Sequence, residues 1–318
     1  MKLFVTGGAG YIGGVVVHQL LAAGHNVTVL DDLSTGHADT VPAGVQLIEA
    51  SVHDIAEHLP HDTDGVLHFA AKIAAGESVV SPELYWQTNV QGSLALLEAV
   101  RNADVPRLVF SSTAAVYGNT DEPMTELSAT NPSNPYGASK LAIDMMITGE
   151  ARAHGLGAVS LRYFNAAGAS GPLGERHDPE THLIPIALQA AAGDREKLQL
   201  YGDDYDTPDG SCIRDYIHVE DLATAHVLAL TATVPGAHKI YNLGTGTGYS
   251  NKQVVDVVRT VTGKPLPVEI GPRRDGDAVI VVAAADKAKA ELGWRPVKAS
   301  LEDIISDAWA FYRSFYGA

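Results

Sequence analysis

The sequence predicts an α/β protein in which a doubly wound parallel sheet is joined to a smaller α/β C-terminal domain. Three observations predict it. Short apolar runs alternate with longer amphipathic patterns through the first half of the chain. Those runs lack the polar alternation of a strand with one wet face, so each is expected to be covered on both sides. Past Asn165 the pattern changes to turn-rich stretches separating further helical periods.

In chain order, strands are expected at residues 2–6, 26–30, 45–49, 65–69, 107–111 and 158–163, with helices at 11–23, 88–101 and 136–154. Helices between strands supply the long connections that parallel pairing requires. Residues 168–172 and 174–179 are rich in turn formers, and 202–210 is a loop dense in Asp, Tyr, Pro and Gly. Helical patterns return at 220–231, 250–262 and 301–316. Ile240-Tyr241-Asn242-Leu243 reads as a strand able to return to the first sheet. The expected division is residues 1–165, with return segments near 213–245, against 166–318, with an interleaved boundary.

Composition narrows the function. The chain has 318 residues, 46% hydrophobic and 19% charged, and a mean hydropathy of +0.02, as for an ordinary globular protein. A net charge of −16 argues against nucleic acid or an anionic membrane as partner, because phosphate arrays demand clustered Lys and Arg. A small anionic ligand needs only a few local donors. The single cysteine, Cys212, cannot form an intramolecular disulfide, which suits a reducing cytosol, and it reads as a small buried hydrophobe. No run approaches the roughly 18 apolar residues of a membrane span. Met1 leads directly into Leu3-Phe4-Val5, leaving no room for a signal peptide, so a cytoplasmic protein is expected. Among thirteen histidines, His53, His58, His61 and His68 invite a metal reading. They lack a helical His-Glu-x-x-His pattern and cysteine support, so they read as solvated or packed and no metal is expected.

The first motif is Val5-Thr6-Gly7-Gly8-Ala9-Gly10-Tyr11-Ile12-Gly13, between the first strand and the first helix. Glycines at 7 and 10 permit a tight turn and close backbone approach to a pyrophosphate, and Gly13 lets helix pack on strand. The helix N-terminus adds free N–H groups and a favourable dipole. Asp31 stands 18 residues past Gly13, near the spacing of about 20 expected for a carboxylate on the adenosine ribose. It would accept from the 2′-hydroxyl and repel a 2′-phosphate, so NAD is favoured over NADP on this Rossmann-type unit.

The second is Tyr136-Gly137-Ala138-Ser139-Lys140 at the start of a helix. Positions i and i+4 share a helix face, so phenol and ammonium are expected to project together. Free tyrosine titrates near 10, and a neighbouring ammonium plus the positive nicotinamide ring should favour phenolate. Ser111-Ser112-Thr113 ends a predicted parallel strand, where ligands bind in such sheets, and Thr113 is placed to hydrogen-bond a hydroxyl that loses its proton.

These motifs resemble the extended short-chain dehydrogenase/reductase superfamily. Arg162-Tyr163-Phe164-Asn165-Ala166-Ala167-Gly168, Tyr201-Gly202-Asp203-Asp204-Tyr205, Asp209-Gly210, Arg214-Asp215-Tyr216-Ile217-His218-Val219 and Pro272-Arg273-Arg274-Asp275-Gly276-Asp277 resemble UDP-glucose 4-epimerases over essentially the whole chain. The resemblance implies Tyr136 as base at the hexose 4-hydroxyl, Lys140 as its tuner and holder of the nicotinamide ribose, and Thr113 as a bridge to the hydroxyl. It implies a cofactor site of Gly7, Gly10, Tyr11, Ile12, Gly13, Asp31, Asp32, Ser51, Val52, Phe69, Ala70, Ala71, Lys72, Asn89, Ser111, Tyr136, Lys140 and Phe164. It implies a UDP-sugar site of Thr113, Asn165, His182, Leu183, Gln199, Tyr201, Arg214, Arg274, Asp277 and Val281. Arginines also suit a diphosphate on physical grounds, although Asp215 competes for Arg214, and Asp275 or Asp277 for Arg274. The implied reaction is transient oxidation at C4, rotation of the keto sugar about its anchored diphosphate, and return of the hydride.

Three positions depart from the family pattern. Ala50-Ser51-Val52 stands where Gly-Asp is common, Ile73 stands where some relatives carry a cofactor-binding lysine with Lys72 one residue earlier, and Val281 stands at a hexose-gating position. A small residue there implies acceptance of UDP-GlcNAc and UDP-GalNAc. A 4,6-dehydratase requires an acid and a base directly after the catalytic threonine, whereas Ala114-Ala115 follows Thr113. An epimerase acting on a uronic acid or pentose and a non-catalytic NAD-sensing protein remain alternatives. The family's dimers pair two helices per subunit, which implies a homodimer through residues 88–101 and 136–154.

Overall fold

Leu3 and Val5 pack into one apolar cluster while Phe4, between them, packs into another. This alternation means that both faces of the first strand are buried, as a two-sided sheet demands. The protein is described from a computed structural model over residues 1–118, 122–274 and 278–317.

The first half runs β1 (Lys2–Thr6), α1 (Tyr11–Ala22), β2 (Asn26–Asp31), β3 (Gln46–Glu49), β4 (Gly65–His68), α2 (Ala75–Val80), α3 (Pro82–Tyr85), α4 (Gly92–Asn102), β5 (Arg107–Thr113), α5 (Pro135–His154) and β6 (Gly157–Tyr163). Then come β7 (Asn165–Ala167), α6 (Leu183–Ala192), β8 (Leu198–Tyr201), β9 (Ile213–His218), α7 (Val219–Thr231), β10 (His238–Leu243) and β11 (Gly248–Ser250). The chain ends with α8 (Asn251–Thr262), β12 (Val268–Gly271), β13 (Ile280–Val281), α9 (Asp286–Glu291) and α10 (Leu301–Tyr316).

Seven strands form the main sheet in the order β10-β6-β5-β4-β1-β2-β3, all parallel. The order reverses direction between β1 and β4, and ligands bind outside the carboxyl ends of strands at such a switch point. Valines 15–17 and Leu20 of α1, Leu222, Ala223 and Leu230 of α7, and Trp294 cover one face. Leu96, Leu97 and Val100 of α4 with Ile143 and Ile147 of α5 cover the other. β10 pairs with β6 as expected for the returning strand, whereas β9 joins β11, β13 and β7 in a second sheet. β8 pairs with β12, and α6, α8 and α10 share a separate core around Ile184, Val254, Val258, Ile304 and Trp309.

Two boundary differences matter for the site. The fifth strand, expected to stop at Ser111, continues to Thr113 because Ser112 and Thr113 pair with Arg162 and Tyr163 of β6. The helix expected from residue 88 begins instead as a π-turn over Trp86–Gln91, with α4 regular only from Gly92. Single π-turns recur where a side chain must be re-aimed, and here the side chain is Asn89.

Candidate active site

The glycine turn leaves no room for side chains. Gly7 has φ +74, and a Cβ there would stand 2.4 Å from the Ala70 nitrogen; a Cβ on Gly13 would stand 2.1 Å from the Gly7 carbonyl oxygen. The α1 N-cap, Gly10, has no capping side chain, so the first-turn N–H groups are presented outward. Asp31 is buried, its carboxylate accepting from the backbone N–H groups of Ala9 and Leu33 at 2.9 Å each. Burial raises its pKa, and those two N–H bonds oppose the rise. An ionised carboxylate has about four acceptor positions, so capacity remains for ribose hydroxyls. Backbone clearance, an uncapped helix N-terminus and an oriented carboxylate together fit NAD.

The remaining expected cofactor residues gather on the neighbouring strand ends. Phe69 and Ala70 follow β4, both N–H groups donating to the Thr6 carbonyl, which sets them against Gly7. Tyr11 donates to the Gly168 carbonyl at 2.7 Å. Asn89, aimed by the π-turn, fixes the backbone of Lys72 on both sides: its Oδ1 accepts from Lys72 N at 2.8 Å and its Nδ2 donates to Lys72 O at 3.0 Å. The Lys72 backbone is therefore held firmly, and Ile73 beside it is exposed. Ser51 caps a short 3-10 turn by accepting from His53 N, and Val52 is buried under Gly92. Ile12 and Ala71 are half-buried, while Asp32 is exposed with its carboxylate on Ser34 N.

α5 starts at a defined point because Asn134 accepts from Gly137 N and Pro135 occupies the first turn, an arrangement that fixes both phi and the cap. Tyr136 is consequently in the first turn, with the Thr113 side chain close to its phenol. Thr113 Oγ1 also accepts from Ala115 N at 3.1 Å, which orients it at the end of β5. Lys140, one turn on, is 2% exposed; its Nζ donates to Ser111 O at 2.9 Å and lies 4.8 Å from the Phe110 ring centre. Ser111 further hydrogen-bonds Tyr163 through its hydroxyl.

In the protein alone, burial works against both charged forms of the pair. Burial raises the Tyr136 phenol above its ordinary value, and the nearby Thr113 hydroxyl opposes the rise. Burial likewise pushes Lys140 down to about 7, opposed by Asp144. The protein alone therefore holds a neutral phenol beside an ammonium poised near neutrality.

On the substrate side, Arg214 lies on β9 opposite Val281 of β13. The competing Arg214–Asp215 pairing does not form: Arg214 Nη1 donates to Ile213 O at 2.9 Å. Asp215 instead accepts from Thr245, Gly246 and Ala283. Asn165 donates to Asp215 O at 3.0 Å. The Arg274 guanidinium sits 4.7 Å over the Tyr201 ring, and Gln199 is exposed on the same strand as Tyr201. Leu183 opens α6, and His182 before it directs Nδ1 to Glu175 and Glu180. Phe164 and Val281 pack against the cluster of Ala114, Val116, Tyr117 and Met124 that follows Thr113. Asp275 and Asp277 lie outside the described residues.

Residues 3–244 match the model of the NAD dependent epimerase/dehydratase family. This chain belongs to that family. The epimerase/dehydratase chain is 54% identical to the UDP-glucose 4-epimerase of Corynebacterium glutamicum over 98% of its own length and 95% of that protein's. It superposes with a TM-score of 0.91 on the UDP-glucose 4-epimerase from Brucella ovis in complex with NAD, at 43% identity and 98% coverage of each chain. It superposes with a TM-score of 0.93 on the Bifidobacterium longum enzyme in complex with NAD+ and UDP, at 35% identity and 99% coverage of each.

Sequence reading missed a buried network behind Tyr136 and Lys140. Asp144 Oδ2 accepts from Arg162 Nε at 3.0 Å and Nη2 at 2.8 Å; Arg162 Nη1 donates to Tyr117 OH at 3.0 Å, and Tyr117 donates to Asn242 Oδ1 at 2.7 Å. One signal was available, since Asp144 stands one helical turn past Lys140. Arg162 lies across the sheet and no spacing points to it. Of the histidines weighed and set aside in the sequence, His53 and His61 are exposed, while His68 is buried between Thr6 and Ser93.

Proposed function

We propose that the chain is a UDP-glucose 4-epimerase, an NAD-dependent isomerase interconverting UDP-glucose and UDP-galactose. The observation that carries this is buried Lys140 bonded to Ser111 O at the carboxyl end of β5, one helical turn past Tyr136, on the sheet whose first turn fits NAD. When bound, NAD supplies the acceptor and then the donor of the C4 hydride.

Every other task falls to side chains of this protein. The turn at Gly7, Gly10 and Gly13 and the α1 N-terminus hold the pyrophosphate, and Asp31 takes the adenosine ribose. Thr113 orients the hexose 4-hydroxyl toward Tyr136, which accepts its proton and returns a proton to O4 once the hydride has come back to the opposite face of C4. Burial works against the phenolate, so a cation at Lys140 and an anion-stabilising bond from Thr113 are both required. Asn165, His182, Leu183, Gln199, Tyr201, Arg214, Arg274 and Asp277 hold the UDP part while the hexose turns. With Ala114-Ala115 after Thr113, proton donation to a leaving hydroxyl has no side chain, which disfavours dehydration.

Val281, on β13 opposite Arg214, leaves the hexose pocket wider than a bulky residue would, and supports acceptance of UDP-GlcNAc and UDP-GalNAc. A homodimer through α4 and α5 is supported by Leu94 and Met145, which are exposed apolar residues on those helices. No helix among the described residues is long and apolar enough to cross a membrane, and a cytoplasmic location is proposed with the epimerase reading.

The test is turnover of UDP-galactose by the purified protein without and then with added NAD, followed by UDP-GalNAc. UDP-glucose formation without added NAD is expected. Activity only with NAD indicates loosened binding beside Ser51. No turnover of either sugar overturns the reading in favour of a uronic acid or pentose substrate.

A further inference from the structure

We propose that Glu175, His177, Glu180 and His182 form a binding site for one divalent transition-metal ion of the zinc class. The four fall within the loop between β7 and α6. Each offers one ligand atom, and all four atoms lie within 4.8 Å of one another. His182 Nδ1 is 2.8 Å from a carboxylate oxygen of both Glu175 and Glu180, and His177 Nδ1 is 3.0 Å from Glu175 Oε1. The two imidazole ring centres are 5.4 Å apart. An ion with ligands at about 2.0–2.2 Å needs neighbouring ligand atoms only a few tenths of an ångström further apart than these pairs.

Charge argues in the same direction. The Glu175 and Glu180 side chains are 8% and 4% exposed, and two carboxylates withdrawn from water need about two positive charges close by. Arg176 does not supply them, since it turns away to a two-pronged contact with Asp39 and lies over the Phe315 ring, so the charge falls to the His177 and His182 imidazoles or to an ion that they and the carboxylates share. Tyr11, whose phenol is within electrostatic reach of both glutamates, is neutral. Neutral imidazoles with a divalent ion balance the pair, releasing protons as the ion binds. Imidazole and carboxylate donors without thiolate suit zinc, manganese, cobalt or nickel rather than magnesium alone.

The surrounding bonds resemble those that hold metal ligands in place. Glu180 Oε1 also accepts from Thr181 N at 2.7 Å and His182 N at 2.8 Å, which fixes its rotamer as outer contacts do in built sites. Four protein ligands would pin the loop ahead of Leu183, with His182 offering Nδ1 to the ion and keeping Nε2 for its proposed place on the UDP side.

The experiment equilibrates the full chain with Zn2+, removes loosely held metal by desalting, and measures zinc by elemental analysis. About one zinc per chain is expected, with Mg2+ failing to displace it. Glu180→Gln and His177→Ala should each weaken zinc retention by roughly tenfold or more. Co2+ substitution gives an independent readout on the unaltered chain through its ligand-field absorption bands. Failure of the unaltered chain to retain zinc, or retention by the variants equal to it, overturns the proposal and leaves an imidazolium–carboxylate cluster.

Discussion

At the scale of single residues, Tyr136 and Gly7 are the positions where chemistry tolerates least change. Tyr136→Phe keeps the ring and its edge contact with Tyr85 but removes the group proposed to move the proton. Turnover of UDP-galactose should fall by about 10²–10⁴-fold, while the cofactor content of the purified protein, read by absorbance, stays near that of the parent. Gly7→Ala inverts this pattern. The added carbon meets the Ala70 nitrogen at 2.4 Å in a positive-φ turn, so NAD affinity should drop by roughly tenfold or more and the purified protein should lose its cofactor. Retained NAD in Gly7→Ala would remove the turn from the cofactor site.

At the scale of elements, α5 and the end of β5 are held in register by the buried Asp144–Arg162 pair. Both side chains are nearly fully buried, and Arg162 extends the contact to Tyr117 in the segment after Thr113. Removing one partner leaves an uncompensated charge, so Arg162→Met should cost about 3–5 kcal/mol in urea denaturation. The double variant Asp144→Leu, Arg162→Met should recover much of that, because an apolar pair of similar size can replace a buried ion pair. Asp144 also raises the Lys140 pKa against burial. In Asp144→Asn the ammonium should therefore be lost at lower pH, and the alkaline limb of the pH–rate profile should move down. A purely structural role for Asp144 leaves that limb in place while lowering stability. Asn134→Ala, which removes the α5 cap, should cost about 1 kcal/mol.

At the scale of the whole molecule, three histidines tie stability to pH. Burial lowers His68 to about 3, and His226 and His238 to about 4. Each is neutral in the fold and titrates near 6.5 when unfolded. Their folded pKa values are depressed, so their contribution is complete above pH 6.5 and is lost as pH falls toward 4, and toward 3 for His68. By pH 5 each should have withdrawn about 2 kcal/mol, reckoned at 1.36 kcal/mol per pH unit. Denaturation at pH 7 and 5 checks this. His238→Gln, which keeps a donor and acceptor for Thr148 and Ser160, should flatten the slope between the two pH values by its share, and an unchanged slope would show that His238 is not involved.

The sequence by itself determined what is local or periodic. Uninterrupted apolar runs specified a sheet covered on both faces, the glycine spacing with Asp31 specified a dinucleotide turn, and Tyr136 with Lys140 one helical turn apart specified the proposed reacting pair. Each follows from the period of a strand or helix or from the steric needs of one turn. Tertiary structure alone decided what depends on partners distant in sequence. Pairing with β6 carries β5 on to Thr113, and a π-turn rather than a plain helix aims Asn89 at Lys72. Arg214 turns from its neighbour Asp215 because residues 245, 246 and 283 take that carboxylate. Glu175, His177, Glu180 and His182 escaped notice because their spacing fits no regular helix or known ligand motif, and only the loop's path brings them together. Burial is the common reason. It sets the ionisation of Tyr136, Lys140 and the histidines, and it is a property of the assembled layers rather than of any one segment.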